Sequence, residues 1–222
     1  FLFGCLLLYS RGITAHENLQ TYAIQTKSER SVLFKRHPDA NVVRTNTNLK
    51  VAQISVQRKA TFSKAKSAHR NGNYDRAFSI WLALAAEGDA PSQFAIAIYF
   101  HKGYGRTVNI GKALTWYYRS ALGGYTPAML NLGIAHWTGW GVPKDHKLAV
   151  SWWRQGADNG GGSSQYNLGI AYLSGDGVNQ NIDEAIYWLT QSASNGSEKA
   201  LDVLQSLFTR YPITKQPYLL DA

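Results

Sequence analysis

Cys5 is the only cysteine in this 222-residue chain, so neither an intramolecular disulfide nor a site built from several thiolates can form. Residues 1–9 (FLFGCLLLY) are apolar, but nine residues fall well short of the about 20 that a bilayer-spanning helix needs. The six histidines, His16, His37, His69, His101, His136 and His146, include no HExxH pair. His101 and His136 stand 35 residues apart, which is a coincidence too weak to define a metal site. Gly103-Tyr104-Gly105 lacks the third glycine, the preceding strand and the later acid of a dinucleotide site. The alternation Asn179, Asn181, Asp183 resembles a calcium loop but has no glycine turn after it. Gly160-Gly161-Gly162 has no following Lys-Ser or Lys-Thr to make a phosphate loop. No catalytic residue, metal site or cofactor is expected.

Charge is missing from most of the chain in net terms. Residues 16–70 carry 11 Lys or Arg against 3 Asp or Glu, whereas residues 71–222 carry 11 of each. The formal +9 therefore belongs to an arm before a neutral body. A basic arm suits nucleic acid or anionic lipid, and equally suits a solvated linker with no partner. Residues 1–15 read as the apolar core and cleavage region of an export signal that lacks its first residues, ending in small residues at Ala15. Leu2-Phe3-Gly4-Cys5 is a weaker match to a lipoprotein box, so membrane attachment is expected only if Cys5 is lipidated. Export to the periplasm or the medium is the favoured location. A lipid anchor, or a cytoplasmic site if the segment is no signal, are the alternatives.

What is present is a repeat. Trp116, Trp152 and Trp188 lie 36 residues apart, as do Gly103, Gly139 and Gly175, and Gly105, Gly141 and Gly177. Ala113, Ala149 and Ala185 follow the same step, with Ala121, Ala157 and Ala193, and Gly124, Gly160 and Gly196. Self-similarity at this period denotes stacked supersecondary units, none able to bury its apolar face alone. Each unit reads as two short helices. Residues 164–174 form an apolar-rich first helix, Gly175-Asp176-Gly177 breaks it, and Asp183 opens a second helix with Ala185, Ile186, Trp188, Leu189 and Ala193 on its buried stripe. The tryptophan column is expected to be buried, its loss destabilising by about 3–5 kcal/mol. The spacing thus divides the chain into a signal-like segment at 1–15, a basic, unstructured arm at 16–48, a repeat body at 49–211 and a tail at 212–222.

The run Tyr166-Asn167-Leu168-Gly169-Ile170-Ala171-Tyr172-Leu173-Ser174-Gly175-Asp176-Gly177-Val178 resembles the Sel-1-like repeat, a relative of the tetratricopeptide repeat. Residues 130–142 (LNLGIAHWTGWGV) restate it, with Asp145 in the family's acidic slot. The copy at 95–116 departs from the pattern, with Ala97 for the glycine, Arg106 for the valine and Asn109 for the aspartate. The resemblance implies an all-α, right-handed α/α solenoid of about four 36-residue helix-turn-helix repeats. It further implies an adaptor or scaffold, in exported bacterial members one of envelope maintenance, exopolysaccharide assembly or host interaction. A cysteine-rich branch linked to β-lactam binding and hydrolysis does not extend to this chain, which lacks those cysteines.

Residues that break the internal pattern are the candidate partner contacts. His136 and Trp137 stand where the last copy has Tyr172 and Leu173, and Tyr104 and Trp140 occupy the turn position held by Asp176. Tyr99 joins them, and Tyr117 and Trp153 flank the tryptophan column. Large aromatics in turns either form interface anchors or cover the solenoid edge. Asn131 and Asn167 lie on first helices, which in related solenoids face the concave groove. There an amide pairs either with an extended peptide backbone or with a neighbouring helix. The leading expectation is a non-catalytic scaffold for a protein or peptide at the cell envelope. A glycan or peptidoglycan binder using Trp137, Trp140 and Tyr104 is the alternative, followed by a hydrolase; nucleic-acid binding through the arm ranks last.

Overall fold

The structure, a computed structural model, describes residues 39–210. Among these residues there are nine α-helices and no strand: α1 Asp39–Arg70, α2 Tyr74–Ala86, α3 Ala90–Lys102, α4 Ile110–Leu122, α5 Thr126–Thr138, α6 His146–Asp158, α7 Gly162–Ser174, α8 Ile182–Ser194 and α9 Glu198–Arg210. The chain divides into two units between residues 59 and 60, and their described parts are residues 39–59 and 60–210. In the first, residues 51–59 of α1 are exposed on every side, Val51, Ile54 and Val56 included. The signal-like segment, most of the basic arm and the tail lie outside the described residues. Helix α1 starts at Asp39, so the last ten residues of the arm expected to be unstructured are helical. No glycine or proline interrupts residues 39–70, and extending an existing helix is far easier than starting one.

The second unit is a stack of helix pairs in which α3 packs on α4, α5 on α6 and α7 on α8, with each second helix packed in turn on the next first helix. Helices α2 to α9 are all 13 residues long because the same punctuation recurs every 36 residues. Each second helix opens on a side-chain cap. Asn73, Asn109, Asp145 and Asn181 accept hydrogen bonds from the backbone N–H groups of Arg76, Lys112, Leu148 and Glu184. The family's acidic slot is thus an N-cap, where asparagine and aspartate serve almost equally. First helices α3, α5 and α7 end on Gly103, Gly139 and Gly175 in the left-handed conformation. The loop then closes through Asn109 N–H to Phe100 O, Asp145 N–H to His136 O and Asn181 N–H to Tyr172 O, at 2.8 to 3.0 Å. The second glycine of each pair is needed for space as well as for its backbone angle. A Cβ on Gly141 would lie 2.2 Å from Cγ2 of Ile110 in the preceding unit.

The buried aromatic column is displaced by one residue from the expected one. Trp81, Tyr117, Trp153 and Leu189, again 36 apart, are 5, 1, 4 and 0% exposed. Trp188 is buried, but Trp116 and Trp152 are only half-buried. Trp116 carries the Arg119 guanidinium 4.6 Å above its ring, and Trp152 meets Tyr118 edge-on at 5.7 Å. The deep column faces positions 97, 133 and 169, where Ala97, Gly133 and Gly169 leave it room. Polar rungs cross the same stack: Ser120 Oγ donates to Ala90 O at 2.7 Å, and Ser192 Oγ to Gly162 O at 2.8 Å. Gln93 and Gln165 donate to Ala85 O and Ala157 O.

Candidate functional site

Two open depressions lie side by side on the face made by the first helices. One, of about 280 Å³, is lined by Ile134, Trp137, Trp153, Tyr166, Asn167, Ile170 and Ala171. The other, of about 220 Å³, is lined by His101, Tyr117, Asn131, Ile134, Ala135, Thr138 and Trp140. They are copies of each other: adding 36 to His101, Tyr117, Asn131, Ile134 and Ala135 gives Trp137, Trp153, Asn167, Ile170 and Ala171. Ile134 lines both and forms the wall between them. No Lys, Arg, Asp or Glu lines either depression.

Their floors are the deep column. Tyr117 hydrogen-bonds through its hydroxyl to Nδ1 of His101 at 2.9 Å, and burial pushes its pKa up to about 12, against a smaller opposing effect of a hydrogen bond from Asn131. His101 packs on Trp140 with ring centres 4.3 Å apart. Burial, then the positive charge of Lys102, hold its pKa below the usual histidine range, so the imidazole is neutral at pH 7. In the neighbouring depression Trp153 replaces the tyrosine and directs its indole N–H to Leu130 O, which leaves Asn167 without the hydroxyl that engages Asn131. Trp137 stacks nearly parallel on His146 at 4.1 Å and lies 5.0 Å from Trp153.

Of the residues singled out from sequence, Asn131, Asn167, Trp137 and Trp140 line the two depressions. Three others do not. Tyr99 is 1% exposed, with its hydroxyl on Nδ1 of His69 at 2.9 Å, and burial raises its pKa to about 12. It is a core residue with no surface to offer a partner. His136 is 6% exposed and holds the Tyr118 hydroxyl through Nε2 at 2.7 Å. One repeat later the same rung is made by Arg154 and Tyr172, so position 136 ties a second helix to the next first helix. Tyr104 is half-buried among Tyr74, His69 and Tyr99, where it covers the edge of the stack. Tyr117 and Trp153, grouped with the exposed aromatics on sequence grounds, are buried floor residues. Ile134, Tyr166 and Ile170 were not singled out, although the recurrence of isoleucine at 98, 134 and 170 was there to be read. Among the described residues no cluster of His, Cys, Asp and Glu could hold a metal ion, and no helix is long and apolar enough to cross a membrane.

A neutral α/α solenoid that carries paired, uncharged depressions on one face belongs to the class of repeat proteins that bind by surface. The Sel1 repeat model matches residues 90–125, 126–161 and 162–197, and the chain belongs to the Sel1 repeat family. Proteins of this family are generally interaction scaffolds and typically non-catalytic. A Sel1 repeat protein from Oxalobacter formigenes is 34% identical, with a TM-score of 0.57, over 59% of this chain and 98% of that one. A protective antigen of uropathogenic Escherichia coli, c5321, displaying the same fold, is 29% identical with a TM-score of 0.58, over 60% of this chain. The match spans 28% of that longer protein. No curated protein sequence matches the chain.

Proposed function

We propose that this chain is a non-catalytic scaffold that holds a segment of a protein or peptide across the face of α3, α5 and α7. The observation that carries this reading is the pair of repeat-equivalent depressions, each with an asparagine at the same place. Asn131 serves the stack through Tyr117, but Asn167 has no hydroxyl at the equivalent place. Position 95 holds alanine and position 203 valine, so stacking does not require an amide in every repeat. An amide offers a donor and an acceptor, which is what an extended backbone presents in return. The glycan alternative has weaker support, because His146 and Trp153 flank Trp137 and His101 packs on Trp140, which leaves little free indole surface for a sugar ring. An envelope location, in the periplasm or outside the cell, is part of the proposal and rests on residues 1–15.

The test is selection of a random peptide display library against the full chain, with counter-selection on an Ile134→Glu variant that keeps the parent thermal midpoint. Enriched peptides that bind the parent and not the variant support the reading. Enriched peptides that bind both equally place the interaction elsewhere.

A further inference from the structure

Helices α1 and α9 are the outermost of the described stack, and each leaves to solvent a side that an inner helix presses on a neighbour. On α1 the contrast is direct. Tyr99, one repeat after Ser63, is 1% exposed and packs on Trp81 and His69, whereas Ser63 is exposed. Residues 60–70 hold to the body through Phe62, Ala65 and Ala68, which pack with Trp81. Ser63, Lys66, Ser67 and Arg70, spaced i, i+3, i+4 and i+7, make an exposed stripe of the same helix, with Lys64 exposed beside it.

The outer face of a repeat stack has to be polar, but it need not carry one sign of charge. Helix α9 is mixed, with Glu198, Lys199, Asp202 and Gln205 exposed. Helix α1 is not: between Asp39 and Asp75 the chain has seven Lys or Arg and no Asp or Glu. Lys64, Lys66 and Arg70 make no ion pair among the described residues. Asp75, the next carboxylate along the chain, lies 3.7 Å from the Arg106 guanidinium instead. Like charges four residues apart, as at Lys66 and Arg70, destabilise a helix. Solubility alone does not call for that cost, and an anionic partner relieves it.

Resting on the envelope location proposed above, we infer that this cationic stripe of α1 seats the protein on a membrane surface rich in anionic phospholipid. In that location the dense array of phosphate is the lipid headgroup layer. A row of cations whose opposite side is packed on the body suits an array that is met from one side. Serine hydroxyls between the cations add hydrogen-bond donors for phosphate oxygens. The stripe carries no apolar side chain to bury among acyl chains, so the attachment is electrostatic and peripheral.

The experiment is co-sedimentation of the full chain with two kinds of vesicle, phosphatidylcholine alone and phosphatidylcholine with phosphatidylglycerol in equal parts. The mixed vesicles are expected to bind the chain more tightly, with the excess lost as salt is raised. A Lys64→Gln/Lys66→Gln/Arg70→Gln variant is expected to bind the mixed vesicles about a hundredfold more weakly. Binding through the apolar residues 1–9 would be common to both vesicles and insensitive to salt, so the comparison removes it. Ile134→Glu should bind the mixed vesicles as the parent does, which lets this inference and the groove reading fail separately. Equal binding to the two vesicles, or a triple variant that binds the mixed ones like the parent, overturns the inference. Tighter binding to duplex DNA than to mixed vesicles at equal phosphate concentration, lost in the triple variant, overturns it in favour of nucleic acid.

Discussion

Gly133 on α5 and Trp153 on α6 share one volume: a Cβ built on the glycine would lie 2.2 Å from Nε1 of the indole. The pair fixes the room that the helix interface of this repeat leaves for the deep column. Where position 133 is glycine the facing column carries tryptophan, and one repeat earlier Ala97 stands in a unit whose column residue is Tyr117.

Gly133→Ala is therefore expected to overpack the interface and destabilise the chain by about 1–3 kcal/mol. Adding Trp153→Tyr, which copies the alanine and tyrosine of the preceding unit, is expected to recover most of the loss. Urea unfolding of the two single variants and the double variant measures the coupling.

The displaced column makes a second prediction. Trp153→Ala should destabilise by about 3–5 kcal/mol, as a fully buried aromatic does. Trp152→Ala, from a half-buried ring, should cost at least about 1 kcal/mol less. Equal losses in chemical denaturation would restore the column expected from sequence.

Asp145 caps α6 through its carboxylate, which accepts from the Leu148 N–H at 2.9 Å. Asp145→Ala should cost about 1 kcal/mol, while Asp145→Asn should be nearly neutral because asparagine caps α2, α4 and α8 in the same way. Thermal unfolding of the two variants separates the cap from the charge.

His101 gives the stack a dependence on pH. Its folded pKa is depressed by burial and then by Lys102, so below the ordinary histidine pKa the unfolded chain takes up a proton that the folded chain refuses. The contribution is complete above about pH 6.5 and declines as the pH falls from there toward the folded value. His101→Gln should flatten the fall of the unfolding midpoint between about pH 7.5 and 5.5.

The helix pairs, their breaks and their period were legible because each is a local signal: glycine where φ is positive, Asn or Asp at a cap, alanine at a close contact. The one-residue error in the buried column has a definite cause. Positions 116, 152 and 188 are identical in residue type, whereas 117, 153 and 189 are Tyr, Trp and Leu, and identity was taken for depth. Glycine faces tryptophan at Gly133 and Trp153 but leucine at Gly169 and Leu189, so the deep column tolerates different residues and is the less uniform one. The depressions were only half legible. Asn131 and Asn167 could be found from their spacing, but each floor is assembled from three successive helices, and Ile134 becomes a shared wall only when the units stack. Tyr99 and His136 were misread because an irregular residue in a repeat serves a local rung as readily as a partner.

The central claim, that the paired depressions are the binding face, is tested most directly by the indole N–H resonances of the seven tryptophans. Titration with a selected peptide ligand should shift Trp137, Trp140 and Trp153, which line the depressions, and leave Trp116 and Trp188 in place. Shifts confined to Trp116 and Trp188, with the groove tryptophans unmoved by a ligand that binds, would contradict the account.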